Sequence, residues 1–207
     1  MTLRILPPPG APRRLAAAQL SNSVGDGAYY VCSALYFTRV VGLSPAQIGL
    51  GLTVAWAVGS VAGVPLGALA DRRGPRGTSA VLAAATAASV LSFLFIRSFW
   101  GFLAAVVVYA TAQCGLGAAR QALLAGVVPA EQRTGVLAHL QSMLNGGLAL
   151  GAALGGLALG ADTERAYLAV FVLDAVGFLG CAAVLLTLPA VAPAPGRAAG
   201  APRLAVL

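Results

Sequence analysis

The sequence predicts an all-α membrane protein of six transmembrane helices arranged as a 3+3 inverted repeat, and three observations carry that reading. Apolar residues make up 59% of the chain and charged residues 9%, where a soluble domain holds about 45–50% and about 25%. Six separate stretches each approach the ~20 apolar residues that cross a hydrocarbon core. The second and fifth of them carry the same glycine ladder. With a mean hydropathy of +0.87 over 207 residues, a soluble fold would have to hide more apolar surface than its interior holds. Lipid is therefore the expected solvent and the first expected partner.

Each helix has its own start and stop signals. Residues 1–14 are Pro-rich and basic. They read as a cytoplasmic segment rather than a cleaved leader, because the run after them contains Asn22 and Asp26 and offers no convincing cleavage site. Helix one spans Leu15 to Val41. Helix two, Pro45 to Ala70, opens on Ser44-Pro45-Ala46-Gln47: Ser at the cap, Pro at the first helical position and Gln three residues after the cap form a capping box. It closes at Asp71-Arg72-Arg73-Gly74-Pro75 with charge, Gly and Pro. Helices three and four run from Ser79 to Ile96 and from Phe99 to Ala119. Helices five and six run from Gly135 to Leu159 and from Ala166 to Leu188. Trp100 and Tyr167 stand near helix starts, where amphipathic rings favour the headgroup level. The six-helix domain covers residues 15–190, and residues 191–207, rich in Pro, Ala, Gly and Arg without periodicity, read as a cytoplasmic tail or linker.

The net charge of +7 does not imply nucleic acid. All 13 cations are Arg, and they lie scattered between apolar runs rather than massed on one face. With the N-terminus in the cytoplasm and six alternating helices, ten of the 13 arginines fall inside and Arg39, Arg97 and Arg165 outside. The positive-inside rule then sets a multi-pass protein of the cell membrane with both termini cytoplasmic.

The internal repeat is carried by Gly59, Gly63 and Gly67 in helix two and Gly147, Gly151 and Gly155 in helix five. Dividing six helices into three plus three makes these two equivalent and opposite in direction. Small residues spaced by four make a groove for another helix backbone.

Enzymatic and metal chemistry find no support. Cys32, Cys114 and Cys181 each sit in an apolar segment and read as packing residues; an odd count argues against a disulfide framework. The single histidine, His139, excludes a His-rich metal site. No Ser–His, Asp–Asp or ligand set is visible, so no cofactor and no catalytic residue is expected.

Function is expected where polar residues enter the membrane. Gln19, Asn22, Ser23, Asp26, Tyr30 and Ser33 recur at spacings of three and four and form one stripe on helix one. Such a stripe belongs on the bundle interior or a watery cavity. Asp26 lies about eleven residues into the helix, roughly 16 Å at 1.5 Å per residue. A carboxylate at that depth costs about 2.5–3.5 kcal/mol on insertion scales. Burial disfavours its charged form, so it is suited to load and release a proton as a cavity opens and closes. Tyr109, Gln113, Arg120 and Gln121 give helix four a weaker polar face; Arg120, near the cytoplasmic end, either serves that face or snorkels to the interface. His139, Ser142 and Asn145 share a side of helix five. Asp174 in helix six reads as shallow, hydrogen-bonded or snorkelling toward the outer leaflet.

The segment from Gly67 to Gly77 resembles motif A of the major facilitator superfamily, roughly G-x-L-a-D-r-x-G-r-k/r, in the loop between helices two and three. Gly67, Asp71, Arg72, Gly74 and Arg76 match, and Pro75 stands where a basic residue is common. Gly147 to Gly156 is similar to the helix five motif of the family's antiporters, g-x-x-x-G-P-x-x-G-G. Gly147, Gly151, Gly155 and Gly156 match, with Ala152 in place of Pro. Thr111 to Ala119 is half similar to the helix four pattern R-x-x-q-G-x-g-a-a, with Thr111 at the Arg position. Gly25-Asp26-Gly27 looks like the helix one acid of the family's exporters.

The resemblance implies a secondary transporter, or its N-terminal half, moving a small organic molecule by alternating access with proton-coupled efflux. It implies that Asp26, Asn22, Tyr30 and Gln113 serve proton coupling and the cavity. Asp71, Arg72 and Arg76 would gate the cytoplasmic face. Helices one and four would line the cavity, two and five face the other half, and three and six lie outside. Family members usually carry two six-helix halves. A fragment, a homodimer in which a second copy supplies the missing half, and a dedicated partner are the three options; a fragment is favoured. The alternative is a non-transporting truncated protein or assembly partner that packs through the Gly-rich faces of helices two and five.

Overall fold

Six helices and one 3-10 turn make up residues 9–191, the part of the chain that the computed structural model describes. They are α1 (Ala11–Arg39), α2 (Pro45–Arg73), α3 (Pro75–Ser92) with the turn Phe93–Phe95, α4 (Phe99–Val127), α5 (Ala130–Ala161) and α6 (Glu164–Leu186). Arg4, Arg197, Arg203 and the tail expected beyond residue 191 lie outside the described residues.

The chain reverses where its local chemistry requires. Ser44 Oγ accepts from the Gln47 backbone N–H at 3.2 Å, and Gln47 Oε1 accepts from the Ser44 N–H at 2.9 Å, the two halves of the expected box. Gly74 ends α2 with φ +97°, which a side chain would resist, and Pro75 starts α3 at once. Two boundaries differ from expectation. α4 continues to Val127 and α5 begins at Ala130, because nothing between Ala119 and Val127 breaks a helix and the first breaker is Pro129. Tyr167 is buried within the protein near the start of α6, and its hydroxyl donates to Asp162 in the exposed loop before it.

Five helices are long and apolar enough to cross a membrane: α2, α3 with its turn, α4, α5 and α6. α1 is not among them. Its 29 residues suffice in length, but Arg13, Arg14 and the polar stripe reduce its hydropathy. Asn22, Ser23 and Asp26 of that stripe are buried within the protein, which is where such groups are tolerated.

α1 packs against α5 and α6, α4 packs against α2 and α3, and α3 and α6 pack on each other. Both glycine ladders work inside these pairs. A Cβ on Gly59 would meet the Ala110 backbone at 2.8 Å, one on Gly63 would meet Cys114, and one on Gly67 would meet Ala118 at 3.2 Å. On α5, a Cβ on Gly147 would meet Ser23 Cβ at 2.6 Å, one on Gly151 would collide with the Val24 carbonyl oxygen, and one on Gly155 would meet Ala28. Self-association through these ladders, expected above, is therefore corrected: the grooves are filled by α4 and α1 of the same chain. Of the four glycines matched to the helix five motif, Gly156 alone faces open space.

The two ends of the bundle are closed differently. At one end, ion pairs Arg39–Asp162 (2.7 Å) and Arg97–Glu164 (3.2 Å) tie the loops together, and Arg97 also donates to Tyr36 at 3.0 Å. Beneath them Tyr29, Tyr36, Phe37, Phe93, Phe102 and Phe171 form a buried aromatic plug, with Phe37 and Phe102 centroids 4.5 Å apart. At the other end the start of α1 meets the end of α6, where Arg14 donates to the Thr187 carbonyl.

Two outcomes follow from this packing. Gly151→Ala pushes α5 off the α1 backbone, an overpacking that costs about 1–3 kcal/mol or more, whereas Gly156→Ala lacks any clash and gains up to about 1 kcal/mol of helix propensity. Thermal unfolding of detergent-purified variants checks both signs. The Asp162 carboxyl is held below the usual carboxylate range by the hydroxyl of Tyr167 and by Arg39. Its folded value lies below its unfolded one, so the stabilisation is present above the unfolded value and fades as pH falls through the folded one. Asp162→Asn, an exchange its left-handed backbone (φ 42°) accepts, therefore lowers the unfolding midpoint at neutral pH, and the difference from the parent vanishes in acid.

Candidate functional site

The interior between α1 and α4 holds a chain of polar side chains. α1 presents a different face to each neighbour. Toward α5 it offers Ser23, Val24, Gly27 and Ala28; toward α6 it offers Gly25 and Ser21, whose hydroxyl donates to the Gly177 carbonyl at 2.9 Å. That leaves Gln19, Asn22 and Asp26, at spacings of three and four, aimed across at α4. Long side chains of α4 meet them: Tyr109, Gln113 and Arg120, again on one helix face.

The connections are specific. Asp26 Oδ2 accepts from Asn22 Nδ2 at 2.9 Å; Asp26 Oδ1 accepts from Gln113 Nε2 at 3.2 Å and from the Tyr109 hydroxyl at 3.3 Å. Gln113 also donates to Tyr109 Oη at 3.1 Å. Asn22 turns its carbonyl the other way, accepting from Arg120 Nη2 at 2.7 Å. Arg120 donates further to Gln19 Oε1 at 3.1 Å and to Cys181 Sγ at 2.7 Å. Asn22 thus bridges a carboxylate and a guanidinium that do not touch. Asp26 is 5% exposed, and Asn22, Tyr109 and Gln113 supply its hydrogen bonds from within the protein.

Toward the end where the start of α1 meets the end of α6, the chain of polar groups opens into a cavity of about 220 Å³ between α1, α4, α5 and α6. Arg120 and Gln19 form its floor, and Leu15, Leu124, Leu140 and Leu185 are among its walls. On the other side of Asp26 the aromatic plug begins at once, with Tyr29 and Tyr109 centroids 5.3 Å apart. The buried centre is therefore closed one way and open the other.

Of the residues expected at the site, Asp26, Asn22 and Gln113 come together. Tyr30 stands at the edge of this group: it is half-exposed, meets Tyr29 edge-on and hydrogen-bonds Tyr109. Gly67, Asp71, Arg72, Gly74 and Arg76 gather at the α2–α3 reversal, with Asp71 and Arg72 exposed. Gly147, Gly151, Gly155 and Gly156 lie on α5, which runs unbroken through Ala152. Ser142 and Asn145 are exposed, away from the buried centre.

Two expectations are corrected. Arg120 does not snorkel at an interface, because α4 extends two turns past it and its guanidinium is held by Gln19, Asn22 and Cys181. Asp174 is not shallow: it is fully buried at the level of Gly25, where it occupies the space a Cβ would fill, and neither carboxyl oxygen has a hydrogen-bond partner. Tyr109 and Cys181 also belong to the site. The helical spacing of Tyr109, Gln113 and Arg120 signalled the first; nothing local signalled the second.

Asn22→Leu removes the bridge and leaves two charged groups each short of a partner, for a loss of about 1.5–3 kcal/mol. Asn22→Asp places a second carboxyl beside Asp26 and restores stability only in acid. Unfolding midpoints of the two variants across pH separate these effects.

Residues 15–206 match the family model described as the Major Facilitator Superfamily. No curated protein matches the chain. The match begins at Leu15, in the first turns of the polar helix lining the cavity, and runs past the last described helix. The chain belongs to the Major Facilitator Superfamily, a family of membrane transporters rather than enzymes.

Proposed function

We propose that this chain is a six-helix half of a proton-coupled secondary transporter, with Asp26 as the proton carrier. The observation that supports this most is the solvation of Asp26: buried, yet supplied with hydrogen bonds by Asn22, Tyr109 and Gln113. Neutral donors of this kind serve the carboxylate and the carboxylic acid alike, because amide and phenol groups turn to accept as well as donate. A proton can then arrive and leave without the bundle coming apart.

The six helices form two inverted triplets on this reading. Its support is the symmetry of the packing: exchanging α1 with α4, α2 with α5 and α3 with α6 turns each major contact into another, and α3–α6 into itself. Alternating access would then move α1 and α4 against a second six-helix unit, either a second copy or a separate half. The apolar faces that α2 and α5 leave exposed, with Leu50, Val54, Val61, Leu150, Leu154 and Leu157, suit such a neighbour or lipid. Asp71, Arg72 and Arg76 would gate the end where the cavity opens. The excess of arginine at that end supports a cytoplasmic location in the cell membrane, with the cavity facing inward.

The test is solute flux in vesicles reconstituted with the full chain, with and without an imposed pH gradient. The parent chain is expected to show gradient-dependent flux. Asp26→Asn, which keeps the size and the donors, is expected to fold but lose the gradient dependence. Undiminished dependence in Asp26→Asn would sink the proton role; absence of flux for every solute tried would sink the transporter reading.

A further inference from the structure

The charge at Arg120 is more than the counterion of Asp26. The guanidinium carries five N–H donors, of which three hydrogen bonds reach Gln19, Asn22 and Cys181. Two N–H groups remain without a protein partner, and Arg120 lines the cavity. Among the described residues no carboxylate pairs with it, and no acidic residue lines the cavity. The lining is instead one Arg, three Gln, one Gly and six Leu. About 220 Å³ exceeds the ~150 Å³ that accommodates benzene.

We propose that this cavity binds a small organic anion, its carboxylate on Arg120 and its apolar body among the leucines, together with a proton on Asp26. This deepens the transporter reading and rests on it. The head-group assignment follows from geometry: a planar guanidinium with unused donors beside amides is matched by a carboxylate, while a cationic solute would face Arg120 with no acid to meet it. The co-binding follows from charge. With Asp26 ionised, the Asp26–Asn22–Arg120 chain is already neutral overall, and an anion would add an uncompensated buried charge. Protonating Asp26 removes that conflict. The ionisable groups around Asp26 are Arg120 and Tyr109 on α4, Tyr29 and Tyr30 on α1, and Asp174 and Cys181 on α6. α5 meets α1 there with glycines.

Benzoate is the probe, with benzyl alcohol as its neutral counterpart and benzylamine as its cation. Calorimetric titration of the detergent-purified full chain at about pH 6 is expected to give benzoate at least about tenfold tighter binding than benzyl alcohol, with benzylamine weakest. Raising the pH to about 8 is expected to weaken benzoate binding. Asp26→Asn keeps the tight affinity at both pH values, whereas His139→Gln keeps the pH dependence of the parent. Arg120→Gln loses the preference for the anion. Leu140→Trp fills the cavity without touching a charge and loses benzoate while remaining folded. Equal binding of benzoate and benzyl alcohol, absence of benzoate binding by the folded parent, or benzoate binding undisturbed by Leu140→Trp would each overturn the anion site. Benzoate binding that does not change with pH would overturn the shared proton. Benzoate bound without gradient-driven flux would sink only the transporter reading; gradient-driven flux of another solute that benzoate does not inhibit would sink only the anion.

Discussion

A carboxyl group buried in an apolar helix bundle must be solvated by protein, and at Asp26 that requirement governs where α1 and α4 can lie. Hydrogen bonds from Tyr109 and Gln113 span the space between the two helices, so α4 stands off from α1 by the reach of long side chains. The other neighbours of α1 come much closer. α5 rides on glycines against its backbone, and α6 presses Asp174 into the gap left by Gly25. One helix is gripped tightly on two sides and held at arm's length on the third, and the third side is where a cavity exists.

That asymmetry also explains the distribution of apolar surface. α2 and α5 bury little beyond their glycine ladders and a few small neighbours, because a ladder needs only a narrow stripe to seat one helix. Their remaining faces stay apolar and outward. α6 buries bulkier side chains, including Phe171 and Phe178, and its contact with α3 links the helices around α1 to those around α4.

Much of this was legible in the residues. The Ser44 box, the break at Gly74, the two ladders and the stripe of α1 are local patterns whose physics is complete within a few residues. What was not legible depended on partners. Glycine spacing announced a close approach but not with whom, so the ladders read as sticky surfaces when they were internal seats. Depth was misjudged for Arg120 because the end of α4 was placed at Ala119; eight more helical residues, about 12 Å at 1.5 Å each, turn an interfacial arginine into an interior one. Asp174 was misjudged because its surroundings come from Gly25, far away in the chain. Tyr30 shares the period of the stripe, and four residues beyond Asp26 the face has rotated enough to leave it half-exposed at the rim of the group, beside Tyr109.

The polar character of α1 bears on how the protein is made. This segment leaves the ribosome before the other five described helices, yet among the described helices it is the one too polar to qualify as a span by itself. Arg120, which neutralises its centre, arrives 98 residues after Asn22, and the Gly177 carbonyl that receives Ser21 arrives 156 residues after it. Until then the stripe of α1 has only itself and water for company. The partners that satisfy α1 thus come from α4 and α6, so a lesion in α6 also takes away a contact on which the polar helix depends.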